Sequence, residues 1–151
     1  FAKNNILIAA TNHPEILDKA IWRRFNTVIE IGSPQENEIE ELIKNFVDDF
    51  KTDFMNDEKR KDRLVKLFEG KTPSDIKAII NNAKAHTIIH SSQTLSYEDV
   101  IIELYEFNNN GNITIEKLVE FLNENGVPQA TIAERMKVSL RQIRNYLNKQ
   151  A

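Results

Sequence analysis

Residues 5–34 read NILIAATNHPEILDKAIWRRFNTVIEIGSP, and this stretch decides the fold because it carries the chemistry that the rest of the chain lacks. Residues 6–10 (ILIAA) are a continuous apolar run between polar neighbours, which is typical of a strand buried on both faces of a parallel sheet. Residues 27–31 predict a second strand, and residues 13–25 predict a short helix between the two. The stretch therefore predicts part of an α/β core.

Polar residues follow the first apolar run and end the predicted helix. Asn12 lies at the carboxyl end of the predicted strand, where parallel sheets bind ligands. Arg23 and Arg24 end the helix, and a forked, permanently charged guanidinium stabilises the negative charge that develops in phosphoryl transfer. An amide such as Asn12 orients a water or a phosphate without adding charge. The alternative is structural: a helix-end Arg pair complements the helix dipole, and a single Asn is a cap.

The order and spacing of these residues resemble the AAA+ ATPases, in particular the narrower AAA branch of protein-remodelling and microtubule-severing motors. In that family a strand ending in A-T-N carries the sensor-1 residue, and L-D-x-A-[IVL]-x-R-R-F carries arginine fingers. Asn12 falls on the sensor-1 position, and residues 17–25 (LDKAIWRRF) match the finger motif. The resemblance thus implies catalytic roles for Asn12, Arg23 and Arg24. It is close over residues 5–34 and looser to residue 108.

An ATPase of this kind also needs a phosphate loop, G-x-x-x-x-G-K-[ST], and an acidic strand end that holds magnesium. Neither pattern occurs in the sequence. Gly70-Lys71-Thr72 imitates the end of such a loop, but Val65 stands where its first glycine is required. We therefore expect a C-terminal piece of a longer ATP hydrolase. ATP and Mg²⁺ are its expected cofactors, and the piece alone is expected to bind neither and to lack activity.

Composition limits the remaining possibilities. A chain of 151 residues, 40% of them hydrophobic, buries one modest core or two small ones, and we expect two. No apolar run is long enough to cross a bilayer, and the absence of cysteine excludes disulfides and fits the cytoplasm. Residues 1–126 hold fifteen Lys and Arg against twenty-two Asp and Glu, whereas residues 127–151 hold five against one. The basic tail suggests an anionic partner.

Apolar stripes and capping signals after the second predicted strand predict four helices. The first begins at Ser33-Pro34, the second ends at Gly70, and the other two begin at Thr72-Pro73 and at Ser96. Four helices in this place resemble the helical lid of the AAA+ ATPases. The resemblance assigns residues 1–33 to the nucleotide-binding core and residues 34–107 to the lid.

The start of the third lid helix touches the nucleotide in that family, through a G-x-[ST]-x-x-D-[IL] pattern that residues 70–76 match. The resemblance therefore implies cofactor contacts by Thr72, Ser74 and Asp75. Ser74 has a simpler alternative, as an ordinary residue of a first helical turn. The sensor-2 arginine is absent here, as it commonly is in the narrower AAA branch.

Two metal-like patterns are rejected. His86 and His90 have the spacing of a two-histidine metal face, but no glutamate follows the first and no third ligand is evident. Residues 106–117 (EFNNNGNITIEK) imitate a calcium loop, but Lys117 stands where the bidentate glutamate is required. We expect no metal site, and we interpret the Asn-rich residues 108–113 as a linker.

Residues 114–151 predict three short helices that resemble a helix-turn-helix. Gly126 is predicted to end the first of them in a left-handed turn, and Ser139 with Gln142 predicts a capping box for the third. Small Ala133 lies where two helices cross closely, Val138 anchors the turn, and Lys137 stands where glycine is frequent. Arg and amide side chains on the third helix suit base edges in a major groove, and cations suit phosphates. The predicted nucleic-acid contacts are Lys137, Arg141, Gln142, Arg144, Asn145 and Lys149. The alternative is a protein-binding or packing module with a solvated basic face.

The sequence thus predicts a mainly α chain: a remnant of an α/β core, a four-helix lid, a linker and a trihelical helix-turn-helix. The family resemblance implies a ring of subunits, most simply a hexamer, that couples ATP hydrolysis to conformational work. The helix-turn-helix makes DNA the expected partner, and no membrane is expected. Two alternatives stay open. One is a DNA-binding regulator or adaptor without turnover, and the other is a protein-remodelling ATPase whose tail binds a protein client.

Overall fold

A computed structural model describes residues 5–148 of the chain, and a boundary between Gly32 and Ser33 divides them into two compact units. The described part is mainly helical, as predicted, and none of its helices is long and apolar enough to cross a membrane. The α-helices are α1 (Lys19–Trp22), α2 (Glu36–Val47), α3 (Glu58–Phe68), α4 (Pro73–Ile89), α5 (Tyr97–Asn108), α6 (Ile115–Glu124), α7 (Gln129–Met136) and α8 (Leu140–Asn148); the strands are β1 (Lys51–Thr52) and β2 (Thr94–Leu95).

The two strands predicted in the first unit do not form, so that prediction is wrong. Residues 6–10 and 27–31 have no regular secondary structure, and Ile8 and Ile31 are 86% and 93% exposed. A strand needs a backbone partner on at least one side, and no backbone hydrogen bond joins the two runs within residues 5–148. The helix predicted over residues 13–25 is reduced to a 3₁₀ turn at Pro14–Ile16 and the single turn of α1.

Helix α2 begins two residues later than predicted, because Gln35 rather than Ser33 is its N-cap. The backbone N–H of Gln35 donates to the Glu38 carboxylate at 2.8 Å. This register places Glu36 and Glu38 together in the first turn, where the helix dipole favours negative charge. Helix α2 therefore keeps its predicted apolar stripe but not its predicted cap.

The caps of α4 and α5 are those the sequence predicts. Thr72 Oγ1 accepts a hydrogen bond from Asp75 N–H at 3.2 Å, and Ser96 Oγ accepts one from Asp99 N–H at 3.1 Å. In each pair the acidic side chain returns to the capping residue, which satisfies two backbone donors reciprocally. These caps set where α4 and α5 enter the core.

One continuous cluster of buried side chains fills the second unit. It runs from Ile39 on α2 to Ile143 on α8, and α4 packs between α2 and α5.

Strand β1 pairs in parallel with β2, with Lys51 opposite Thr94, a pairing that the charged sequence around Lys51 does not predict. Helices α5 and α6 both contribute to the buried cluster of the second unit. The domain boundaries predicted at residues 107 and 114 stay predictions.

The last three helices have the predicted order and turns. Gly126 lies just after α6 and has a φ of +79°, the left-handed conformation expected there, and Val127 is buried in the core. Lys137 ends α7 with a φ of +55°, and the Val138 N–H donates to the Ala133 carbonyl at 3.0 Å. The non-glycine residue predicted at this turn therefore does adopt the left-handed conformation.

Candidate functional site

The predicted arginine fingers lie at the end of α1 in the first unit. Asp18 is the N-cap of this helix, and its Oδ1 accepts a hydrogen bond from the Ala20 N–H at 2.8 Å. Arg23 is the C-cap, Arg24 follows it, and both side chains are exposed. Asn12 is also exposed. The motif thus forms a capped turn that offers two cations to the surrounding solvent, and the catalytic roles of these residues stay predictions.

The predicted nucleotide-contacting residues lie at the start of α4 in the second unit. The backbone and hydroxyl of Thr72 both donate to Asp75 Oδ2, at 3.0 and 2.8 Å. These hydrogen bonds hold the pKa of the Asp75 carboxyl below its ordinary value. Thr72 and Asp75 therefore already serve as a helix cap. Ser74 is exposed in the first turn, and its contact with a nucleotide stays a prediction.

The predicted nucleic-acid face lies at α8 and the turn before it. Arg141, Arg144 and Asn145 are exposed on α8, and Lys137 is exposed in the turn. Gln142 has a different role, because its Oε1 accepts a hydrogen bond from the Ser139 N–H at 3.1 Å, in the capping box that the sequence predicts. This bond occupies the amide oxygen that reading adenine requires. The last predicted contact, Lys149, lies outside the described residues.

Helix α5 carries a buried carboxylate that the sequence analysis missed. Glu103 is 5% exposed, and its Oε1 lies 2.8 Å from His86 Nδ1 on α4, an ion-pair distance without hydrogen-bond geometry. Burial raises the pKa of the Glu103 carboxyl, and the charge of protonated His86 offsets part of that rise. The available signal was an acid beside the apolar stripe of Val100, Ile101 and Leu104. His86 therefore faces a carboxylate across α4 and α5.

Glu103→Gln is expected to stabilise the chain at neutral pH by roughly 1 kcal/mol, because it removes a buried charge and keeps the side-chain shape. Since folding raises the pKa of Glu103, its contribution to stability is fully present below its ordinary pKa of 4.5 and is lost as pH rises through the folded value. Urea unfolding of both proteins at a series of pH values, from below 4.5 to neutral, measures the difference in their free energies of unfolding. Glu124→Gln, which removes an exposed carboxylate at the end of α6, is the control. Equal effects of the two substitutions would contradict the assignment.

Metal ligation finds no support in the side-chain clusters of residues 5–148. No group of three His, Asp or Glu side chains in this range is placed to hold a metal ion. His90 is the C-cap of α4, and residues 106–108 of the calcium-like pattern belong to α5. The absence of a metal site stays a prediction.

Comparison with known proteins places the similarity in AAA+ ATPases. The chain is 31% identical over 101 residues to the ATP-dependent zinc metalloprotease FtsH of Clostridium perfringens, covering 66% of this chain and 14% of that protein. It is 33% identical over 104 residues to a putative 26S proteasome regulatory subunit homolog of Methanothermobacter thermautotrophicus, covering 67% and 27%. It is 35% identical over 95 residues to the proteasome-activating nucleotidase of Methanococcus maripaludis, covering 62% and 22%.

No family model and no solved structure matches the chain. The matched part of the chain covers between 14% and 27% of the length of the three relatives named above. The relatives are AAA+ ATPases, so the resemblance inferred from residues 5–34 is confirmed at that level. The names of these three relatives describe a protease, a proteasome regulatory subunit homolog and a proteasome-activating nucleotidase, and none of the three mentions DNA.

Proposed function

We propose that this chain is the C-terminal part of an AAA+ ATPase that couples ATP hydrolysis to conformational work. The observation that carries the proposal is the 31% to 35% identity over 95 to 104 residues with ATP-dependent relatives. ATP and Mg²⁺ are the proposed cofactors of the longer protein. Its phosphate loop and magnesium-binding acidic motif are expected outside this chain.

Arg23 and Arg24 are proposed to act in a neighbouring subunit of a ring, most simply a hexamer. Their exposure at the end of a short capped helix supports this role, since an arginine finger must be exposed on its own subunit to contact the γ-phosphate of ATP bound to the next one. Asn12 is proposed to orient the attacking water or the γ-phosphate within its own subunit. An uncharged amide is suited to that role because it repels neither.

Helices α2–α5 are proposed to form the lid, with the start of α4 at the nucleotide. The cap between Thr72 and Asp75 supports this indirectly, because it fixes the first turn of α4, at the positive end of the helix dipole, which favours phosphate. Ser74, exposed in that turn, is the proposed direct contact. Thr72 and Asp75 are proposed to position it.

The longer protein that contains this chain provides the test of this function. We expect Mg²⁺-dependent ATP hydrolysis and, in sedimentation velocity, a ring that forms or tightens when ATP is added. Residues 1–151 alone, measured in parallel, are expected to be inactive. A longer protein that neither hydrolyses ATP nor assembles with it would contradict the proposal and favour a regulator or adaptor without turnover.

The partner of α6–α8 is proposed to be a protein client or DNA, with one observation for each. Two relatives are described as a proteasome-activating nucleotidase and a proteasome regulatory subunit homolog, which favours protein clients. The exposed Arg141, Arg144 and Asn145 on one helix after a left-handed turn favour DNA as the second candidate. The cap role of Gln142 weakens specific base reading but leaves phosphate binding possible.

Arg141→Ala with Arg144→Ala is expected to weaken DNA binding by the chain if α8 contacts the DNA backbone. Fluorescence polarisation with a labelled random duplex over a salt series measures the affinity, and the slope of affinity against salt is expected to fall by about two phosphate contacts. Lys44→Ala, an exposed cation on α2, is the control. No binding by the unsubstituted chain even at low salt would exclude DNA and leave a protein client.

A further inference from the structure

Arg135 on α7 makes a forked contact with the first turn of α5. Its Nη1 lies 2.7 Å from Asp99 Oδ1, and its Nη2 donates to Ser96 Oγ at 2.8 Å and to Asp99 Oδ2 at 3.2 Å. The Asp99 side chain is 13% exposed and the Arg135 side chain is 37% exposed, so the carboxylate is largely shielded from solvent and the guanidinium is partly open to it. Charge-assisted bidentate pairs of this kind fix orientation as well as adding energy.

A second polar contact comes from the same first turn of α5. The Tyr97 hydroxyl donates to the Asn125 carbonyl at 3.0 Å, and the Tyr97 ring is 1% exposed. The Arg63 guanidinium of α3 occupies the space that a side chain at Gly126 would need. Residues of α3 and α5 thus hold the turn between α6 and α7 in place.

The connection between α5 and α6 is a bonded turn. The Gly111 N–H donates to the Glu106 carbonyl at 3.0 Å, and Asn109 Nδ2 donates to the Tyr105 carbonyl at 2.8 Å. Asn110 and Gly111 adopt the left-handed conformation that ends helices. These contacts give the residues predicted as a linker a defined conformation at the end of α5.

We propose that Arg135, through Ser96 and Asp99, fastens α6–α8 to α5, so that the last three helices move with α2–α5 as one rigid body. We call these three residues the clasp. The proposal concerns residues 33–148 and does not depend on ATP hydrolysis. Its consequence is mechanical: a displacement of α2–α5 is passed directly to the exposed face of α8, and a partner bound on α8 resists that displacement.

Spin-label distances test the rigid body directly, because the chain has no cysteine and two can be introduced cleanly. Exposed Lys77 on α4 and Lys117 on α6 form the reporting pair after substitution by Cys. Asn45 on α2 and Lys77 form a reference pair inside α2–α5. We expect both pairs to give one narrow distance distribution, and Arg135→Ala to broaden the reporting pair alone.

Amide hydrogen exchange gives a second readout of the same clasp. Loss of a charge-assisted contact is expected to make α6–α8 amides exchange roughly tenfold faster while α2–α4 amides are unchanged. Glu134→Ala, an exposed neighbour of Arg135 on α7, is the control and is expected to change neither measurement. A reporting pair that is already broad in the unsubstituted chain would overturn the rigid body.

Identical behaviour of Arg135→Ala and Glu134→Ala would overturn the role of the clasp. If Arg135→Ala fails to fold, as a broadened reference pair would show, Arg135→Lys replaces it. This variant keeps the charge and loses the fork, so the proposal still requires selective broadening of the reporting pair. Retention of the narrow distribution in Arg135→Lys, together with unchanged exchange in α6–α8, would overturn the proposal.

Discussion

Replacing Arg23 or Arg24 by Ala in the longer protein is expected to lower kcat for ATP hydrolysis by ~10³-fold or more. The reason is electrostatic. A guanidinium offered across a subunit interface stabilises charge that is larger on the phosphoryl group in the transition state than in bound ATP. KM for ATP is therefore expected to change little. Steady-state kinetics at saturating ATP, with sedimentation to verify assembly, measures both quantities.

Lys19→Ala is the matched control, because Lys19 is an exposed cation on the same short helix. It removes one positive charge and leaves the Asp18 cap intact. We expect nearly unchanged kcat for this variant. A loss in Lys19→Ala as large as that in the arginine variants would indicate damage to α1 as a whole and would contradict the finger role.

Phe68→Ala is expected to destabilise the second unit by about 3–5 kcal/mol. Phe68 is fully buried at the end of α3 within the cluster that joins α2–α8. The substitution removes the ring's apolar burial and leaves a cavity that the surrounding helices fill only in part. Because small domains are stable by only about 5–15 kcal/mol, this loss is a large fraction of the total.

Urea unfolding followed by circular dichroism measures the effect of Phe68→Ala on the chain. Lys66→Ala, an exposed position on the same helix, is the control and is expected to stay within about 0.5 kcal/mol of the unsubstituted chain. A Phe68→Ala midpoint close to that of Lys66→Ala would contradict the assignment of Phe68 to the core.

The helical part was predictable because its signals are local. The caps at Thr72, Ser96 and Ser139 each depend on a side chain three residues away, and the structure forms all three. Helix α2 shows the limit of such signals. The sequence predicts a start at Ser33-Pro34, whereas the structure caps the helix at Gln35, whose N–H donates to the Glu38 carboxylate. Local patterns therefore identified the helices better than their first residues.

The strands failed because a strand is a relation between segments. Residues 6–10 and 27–31 have the right composition, but composition does not supply the neighbouring backbone that pairs with them. Their apolar side chains, including Ile8 and Ile31, are consequently left exposed. The short β1–β2 pair was not predicted because each strand has only two residues, which is too short to show an alternating pattern.

The sequence predicted the residues of the candidate site that belong to a motif, but not the contacts between residues distant in the chain. Asn12, Arg23 and Arg24 were found by spacing, and the similarity to ATP-dependent relatives supports the family but does not test each role. Contacts between distant residues left no comparable signal. Arg135 meets Asp99 across 36 residues, and Tyr97 meets Asn125 across 28. Such pairs depend on packing that no single stretch of sequence specifies.

Subunit mixing measures most directly whether Arg23 and Arg24 act in a neighbouring subunit. One longer protein carries Arg23→Ala with Arg24→Ala, and the other has its phosphate-loop lysine replaced, so that each is inactive alone. We predict that mixed rings regain ATP hydrolysis, because some interfaces then join an intact nucleotide pocket to intact arginines. A mixture that co-assembles and hydrolyses ATP no faster than the two separate proteins would contradict the account.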